Sequence, residues 1–281
     1  MKTLTKRKIL GFLNDLQAHK KIRYIDSTNG SIRLDSIRRS IPNLLNRCLE
    51  RQKTQTFYHI VGYDGIKQTF LRSLSSEEPV HILLVGPPGQ AKTLFLKCIL
   101  EMFGEKKAFF TVGGNASKSG LIDVLFDMQP KYLLVDEIEH LKPEYQTTLL
   151  SLMETGILSQ TVHSKVRHVY LKTRIFATSN GTKKLSDPLL SRFRVMYLNK
   201  YEFSQFYEIA VKELLAEGLD KKAAGEITIS VWEQLPNPNI RNCVQIGRLV
   251  KNEPDIETAI ADEIHNFKEY GMPEWARSTD F

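Results

Sequence analysis

Val80-His81-Ile82-Leu83-Leu84-Val85-Gly86-Pro87-Pro88-Gly89-Gln90-Ala91-Lys92-Thr93 is the stretch on which the fold turns. Its apolar run is short for a helix and ends in turn residues, which predicts a buried strand, a tight loop and the first turn of a helix. Gly86 and Gly89 let the backbone of the Gly86-Pro87-Pro88-Gly89-Gln90 loop curl until successive N–H groups face an anion. Lys92 can set its ammonium among the outer phosphates, and Thr93 offers a hydroxyl to Mg²⁺. The helix that continues through Leu94 adds its positive dipole end. The pattern is Gly-x-x-x-x-Gly-Lys-Ser/Thr with Ala91 in the second glycine place. The expectation is that this position opens the helix, where a right-handed backbone suits alanine. A plain turn between two core elements would explain the glycines but has no need of Lys followed by Thr.

A second chemical feature lies 44 residues beyond Lys92, where Tyr132-Leu133-Leu134-Val135 runs into Asp136-Glu137. An apolar strand ending in two carboxylates puts them at the edge where α/β sheets bind ligands, beside the phosphate loop. Asp136 then holds the hydration shell of Mg²⁺, and Glu137 polarises an attacking water. Between the two features, Ala108-Phe109-Phe110-Thr111-Val112 reads as another strand, Gly113 to Gly120 as a polar loop, and Leu121 to Met128 as a helix.

Further on, residues 143–153 read as a helix, and Ile157 to Leu171 as a hairpin whose tip carries Lys165 and Arg167. Arg174 to Asn180 is a fourth core strand. Leu189 to Arg194 closes a helix before a fifth strand, Val195-Met196-Tyr197-Leu198. From Glu202 the pattern is helical only, over about 202–217, 220–234, 239–250 and 255–268, with Arg241 opening the third. The expected organisation is a basic segment at 1–56, a nucleotide-binding domain at 57–200, a helical lid at 201–268 and a tail at 269–281.

Composition narrows the class. The 281 residues are 42% hydrophobic and 25% charged, ordinary for a globular chain, and no apolar stretch approaches a bilayer span. Cys48, Cys98 and Cys243 lack metal-type spacing and fit a reducing compartment, so a cytoplasmic protein with no membrane partner is expected. Net charge is +7, and its distribution is uneven. Residues 1–53 hold thirteen Lys/Arg against four Asp/Glu, a balance of +9, whereas the remainder holds 26 against 28, a balance of −2. The arm reads as helix (3–19), hairpin around Ser27-Thr28-Asn29-Gly30, and helix from Pro42 to Arg51. With Lys165 and Arg167, it forms the expected surface for nucleic acid; a solvated basic face binding nothing is the plain alternative.

Taken together these motifs resemble an AAA+ ATPase over about residues 57–250. Ile60-Val61-Gly62 resembles the segment that packs on adenine. Gly86 to Thr93 is similar to Walker A, and Leu133 to Glu137 to Walker B. Asn180 falls at sensor 1, Arg241 at sensor 2, and Arg192, in Ser-Arg-Phe, at the arginine finger, with Arg194 as its rival. The resemblance implies a five-stranded parallel sheet with a helical lid. It also implies ATP and Mg²⁺ bound between subunits, usually in a hexameric ring, with an arginine supplied in trans. Met153-Glu154-x-Gly before a hairpin is similar to the group holding RuvB-type helicases, MCM helicases and MoxR-type chaperones. Pro-Gly-Gln-Ala-Lys-Thr looks more like MoxR and MCM. Leu141 to Arg194 looks most like archaeal ATPases described as RuvB-like. No winged-helix pattern follows the lid, a departure from bacterial RuvB. The implied function is a motor on DNA or nucleoprotein; a MoxR-like remodeller of a protein client and a slow ATP-gated assembly switch are the alternatives. The polar loop after the second strand has Lys118 and no aromatic residue, which favours a phosphate backbone over a threaded polypeptide.

Overall fold

The computed structural model describes residues 57–270, apart from 116–117 and 163–164. The expected helices and hairpin of the basic arm and the tail from Gly271 lie outside those residues. Helix α1 (Asp64–Ser75) leads into β1 (His81–Val85), whose five residues are all buried. The loop then enters α2 (Lys92–Phe103). Next come β2 (Ala108–Val112), a 3₁₀ turn (Gly113–Asn115), α3 (Lys118–Met128) and β3 (Tyr132–Asp136). A second 3₁₀ turn (Ile138–His140) precedes α4 (Pro143–Thr155), the hairpin β4 (Ile157–Val162) and β5 (Lys165–Tyr170), and β6 (Arg174–Ser179). Helix α5 (Asp187–Arg192) and β7 (Phe193–Tyr197) complete the sheet.

Five strands pair in parallel in the order β2-β3-β6-β1-β7, so every strand ends at the same edge. Side chains alternate across the sheet, as a strand's two-residue period requires. Leu83, Val85, Leu133, Val135, Ile175 and Ala177 face one core, with Leu121, Leu125, Tyr145 and Leu149 from the helices. Ile82, Leu84, Leu134 and Phe176 face the other, with Phe57, Phe70, Phe95 and Ile99. Both faces are covered, which is why the strands read as unbroken apolar runs. Each fully buried Leu, Ile or Phe contributes about 1.5–3 kcal/mol.

Helices α6 (Phe203–Ala216), α7 (Lys221–Gln234), α8 (Ile240–Val250) and α9 (Ile256–Tyr270) share a separate core of Phe206, Leu214, Ile227, Val231, Ile246 and Ile264. A capping box of Glu202 and Gln205 starts α6, and the side chains of Asp220 and Asn239 cap α7 and α8.

Three local expectations are corrected. Ala91 does not begin a right-handed helix: it stands before α2 with φ 54°, in the left-handed region. The loop must turn sharply to aim its N–H groups inward, and alanine adopts that turn at a cost of about 1–2 kcal/mol. Lys118 opens α3 rather than sitting in the loop. Phe193 and Arg194 belong to β7, not to the preceding helix, because Phe193 is buried and pairs in register with His81.

Candidate nucleotide site

Sheet register brings the motifs together. Val85 lies opposite Ser179, and Val135 opposite Ala177, so Asp136, Thr178 and the phosphate loop meet at one edge. Thr93 Oγ1 donates to Asp136 Oδ2 at 2.9 Å and to Oδ1 at 3.1 Å. Thr178 Oγ1 donates to the same carboxylate and accepts the Glu137 N–H at 3.1 Å. Thr178 therefore links both Walker B acids. Glu137 itself is exposed and has φ 53°, a strained conformation of the kind that recurs at functional sites.

Lys92 is buried at the head of α2. Its ammonium donates to the carbonyls of Gly86 at 2.6 Å and Pro87 at 2.7 Å. Burial pushes its pKa down, and the Glu139 and Asp136 carboxylates oppose that shift. Asn180 follows β6 directly. Its backbone N–H donates to Glu139 Oε1 at 2.9 Å and its Nδ2 to the same oxygen at 3.1 Å.

A cavity of about 530 Å³ is lined by Pro88, Gln90, Lys92, Thr93, Asp136, Glu137, Asn180 and Arg241. A neighbouring cavity of about 460 Å³ is lined by Ile60, Val61, Leu94, Tyr201, Ile240 and Arg241. The two share Gly89, Ala91, Leu94, Ile240 and Arg241. One compartment is polar and cationic and the other mostly apolar, which suits a phosphate chain joined to a flat base. Arg241 reaches both from the first turn of α8, where the Asn239 side chain accepts the Asn242 N–H at 3.0 Å. The hydroxyl of Thr93 and the carboxylate of Asp136 are hard oxygen donors close enough to share one small ion. They fit Mg²⁺, which takes one or two protein ligands and completes its shell with waters and phosphate oxygens.

Other expected residues lie elsewhere. Arg192, at the end of α5, is 37% exposed, donates to Glu154 Oε1 at 2.8 Å, and does not line either cavity. Arg194 is exposed on β7. Lys165 opens β5. Arg167 pairs with Asp123 at 2.5 Å, and its guanidinium lies over the Phe126 ring, 4.4 Å from the centroid. Its charge is thus partly engaged within the chain.

Sequence motifs pass over several residues of the site. Thr178 is a polar residue inside an apolar strand, a visible but weak signal. Glu139 is the third acid of Asp136-Glu137-Ile138-Glu139. Tyr63 shows no signal at all. Its hydroxyl lies 2.9 Å from Gln90 Oε1 and 2.7 Å from the Asn199 carbonyl, and its ring stands 5.3 Å from that of Tyr201. It ties the segment that follows Ile60-Val61-Gly62 to the phosphate loop.

A parallel sheet in this order, a phosphate loop after β1, paired acids after β3, a polar residue after β6 and a helical cluster carrying an arginine into the cleft define a P-loop nucleotide-binding protein of the AAA+ ATPase class. Residues 54–198, just over half of the chain, match the Holliday junction DNA helicase RuvB P-loop domain, and the chain belongs to that family. It is 29% identical over 191 residues to the Holliday junction branch migration complex subunit RuvB of Ligilactobacillus salivarius, covering 62% of this chain and 56% of that protein. It is 24% identical over 180 residues to replication factor C subunit 3 of Blastobotrys adeninivorans, covering 62% and 51%. The chain thus spans little more than half the length of these relatives. Among solved structures, the Thermotoga maritima RuvB Holliday junction branch migration motor superposes with a TM-score of 0.56 at 20% identity, over 76% of this chain and 73% of that one. At that identity the likeness is one of fold.

Proposed function

We propose that this chain is an Mg²⁺-dependent ATPase that couples hydrolysis to movement on DNA or on a nucleoprotein complex. The observation that carries the reading is the Thr93–Asp136–Thr178–Glu137 constellation in a cleft that Arg241 also lines. Lys92 leaves the loop carbonyls of Gly86 and Pro87 for the phosphates of ATP. Thr93 and Asp136 would hold Mg²⁺, which when bound neutralises charge on the phosphate oxygens. Glu137 takes a proton from the attacking water, and Asn180 orients that water against the terminal phosphate. Arg241, carried by the helices from Phe203 onward as a lid, reads the state of the phosphate chain. Arg192, which does not line this chain's own cleft, completes the site of a neighbouring subunit in a ring, for which six members is the expected number.

The RuvB relatives are named for Holliday junctions, and branched DNA is the first substrate to try. The +9 balance of residues 1–53 supplies the nucleic-acid contact. Such contact reads backbone phosphate, so affinity falls with salt with a log–log slope of about −0.9 per phosphate on duplex DNA. The test is ATP turnover with and without single-stranded, duplex and junction DNA, with Glu137→Gln as control. The control should keep ATP affinity while turnover falls by a factor on the order of 10²–10⁴. Stimulation by one DNA form, lost on raising salt from about 50 to 200 mM, supports the motor reading. No binding to any form at the lower salt overturns it in favour of a protein client.

A further inference from the structure

We propose that Glu139 is a positioning residue for ATP hydrolysis: its buried carboxylate clamps Asn180 and fixes the direction in which the Asn180 amide oxygen meets the attacking water. The inference rests on the hydrolytic reading of the cleft.

Glu139 sits in the 3₁₀ turn between Glu137 and α4 and is only 8% exposed. One oxygen, Oε1, accepts both the backbone N–H and the side-chain Nδ2 of Asn180, at 2.9 and 3.1 Å. A single acceptor gripping both donors of one residue leaves the side chain little rotational freedom. It also sets the amide's sense. Facing a carboxylate, Asn180 must present nitrogen, so its Oδ1 points away from Glu139 and the amide cannot flip. Asn180 lines the cleft with Lys92, Asp136 and Glu137, and a flipped amide there would offer a donor in place of an acceptor.

Stability alone does not account for Glu139. Ile138 and Leu141, beside it in the same turn, are buried apolar side chains. A buried carboxylate costs several kcal/mol to desolvate, and its other oxygen, Oε2, is buried with no hydrogen-bond partner among the described residues. An apolar residue would serve the core better. The carboxylate instead lies in the electrostatic field of the site, where it is the foremost of the charges opposing the lowered pKa of Lys92.

The test combines turnover at saturating ATP with affinity for a fluorescent ATP analogue, in the full chain. Glu139→Ala should keep affinity within about twofold and lower turnover on the order of 10- to 100-fold, the scale of an ångström-size misplacement at a reacting centre. Glu139→Gln keeps an acceptor oxygen and should recover most of the loss. Asn180→Ala should match Glu139→Ala, and the double variant should be no worse than either by more than about twofold, because both remove one unit. Equal turnover in Glu139→Ala and wild type overturns the clamp, as do losses that multiply in the double variant. If Asn180→Ala itself turns over normally, it is the reading of Asn180 that fails. Should Glu139→Ala not fold, Asn180→Asp supplies the test. It sets carboxylate against carboxylate, and adding Glu139→Gln, whose amide can donate, should restore turnover; no restoration overturns the proposal.

Discussion

Two residues show how tertiary demands are met against local preference. Ala91 holds φ 54° because the phosphate loop must close there. In Ala91→Gly the strain of about 1–2 kcal/mol is relieved, while the freer unfolded chain costs about 0.4–1 kcal/mol. The expected net is a gain of up to about 1.6 kcal/mol, read as a higher urea midpoint with ATP affinity retained. Had Ala91 been right-handed, the same change would cost about 0.5–1 kcal/mol, so the sign decides. His81, 7% exposed at the start of β1, accepts the Ile175 N–H on Nδ1 at 3.0 Å. Burial lowers its pKa to about 4; a backbone hydrogen bond at Met153 opposes the shift and the Arg174 charge adds to it. The unfolded chain therefore binds the extra proton between about pH 6.5 and 4, and the stability this residue confers above 6.5 is lost as pH falls through that window. The full effect is on the order of 3 kcal/mol. Urea midpoints at pH 7.5 and 5 should fall further for wild type than for His81→Asn, which keeps an acceptor without a titrating group. Parallel falls would exclude His81.

At the scale of elements, the site depends on how closely two turns approach. The turn Gly113–Asn115 after β2 lies against the turn after β3, and a Cβ on Gly113 would collide with the carbonyl oxygen of Glu137. Glu137 is already held in a left-handed conformation by its N–H bond to Thr178. Gly113→Ala should push that backbone aside and lower turnover by up to about 10²-fold while ATP binding, which rests on the other loop, changes little. Steady-state kinetics beside a binding titration separate the two. A variant with normal turnover would show that the approach of these turns does not set the position of Glu137.

For the whole molecule the question is where Arg192 acts. It is exposed, paired to Glu154 at the end of α4, and absent from the lining of its own cleft. If it serves a neighbour, Arg192→Ala and Glu137→Gln chains should each be nearly inactive alone. Mixed, they should regain part of the wild-type rate, since some interfaces then join an intact Glu137 to an intact Arg192. A rate that stays flat across mixing ratios, in samples shown to co-assemble, would argue against a shared site. Full activity of Arg192→Ala in dilute, monomeric samples would do the same.

Chain order and spacing alone determined a great deal here. The apolar runs ending at Val85 and Val135, Gly86 to Thr93, and Asp136-Glu137 are local patterns whose physics is local. A buried strand needs continuous apolar residues, and a phosphate cradle needs glycines beside Lys and Thr. Those patterns sufficed for the five strands and the helical run after Glu202, and the resemblance they carry implied that the sheet is parallel. What only the tertiary structure decided depends on register and approach between distant segments. Thr178 meets Asp136 because β6 lies beside β3, and Tyr63, just before α1, meets Gln90 across 27 residues of sequence. Glu139 meets Asn180 across 41 residues of sequence. The left-handed turns at Ala91 and Glu137 belong here too, since only closure of the loop against its neighbours makes their strain worth bearing. No periodicity records such meetings, because each is fixed by how strands pair and not by which residues follow one another.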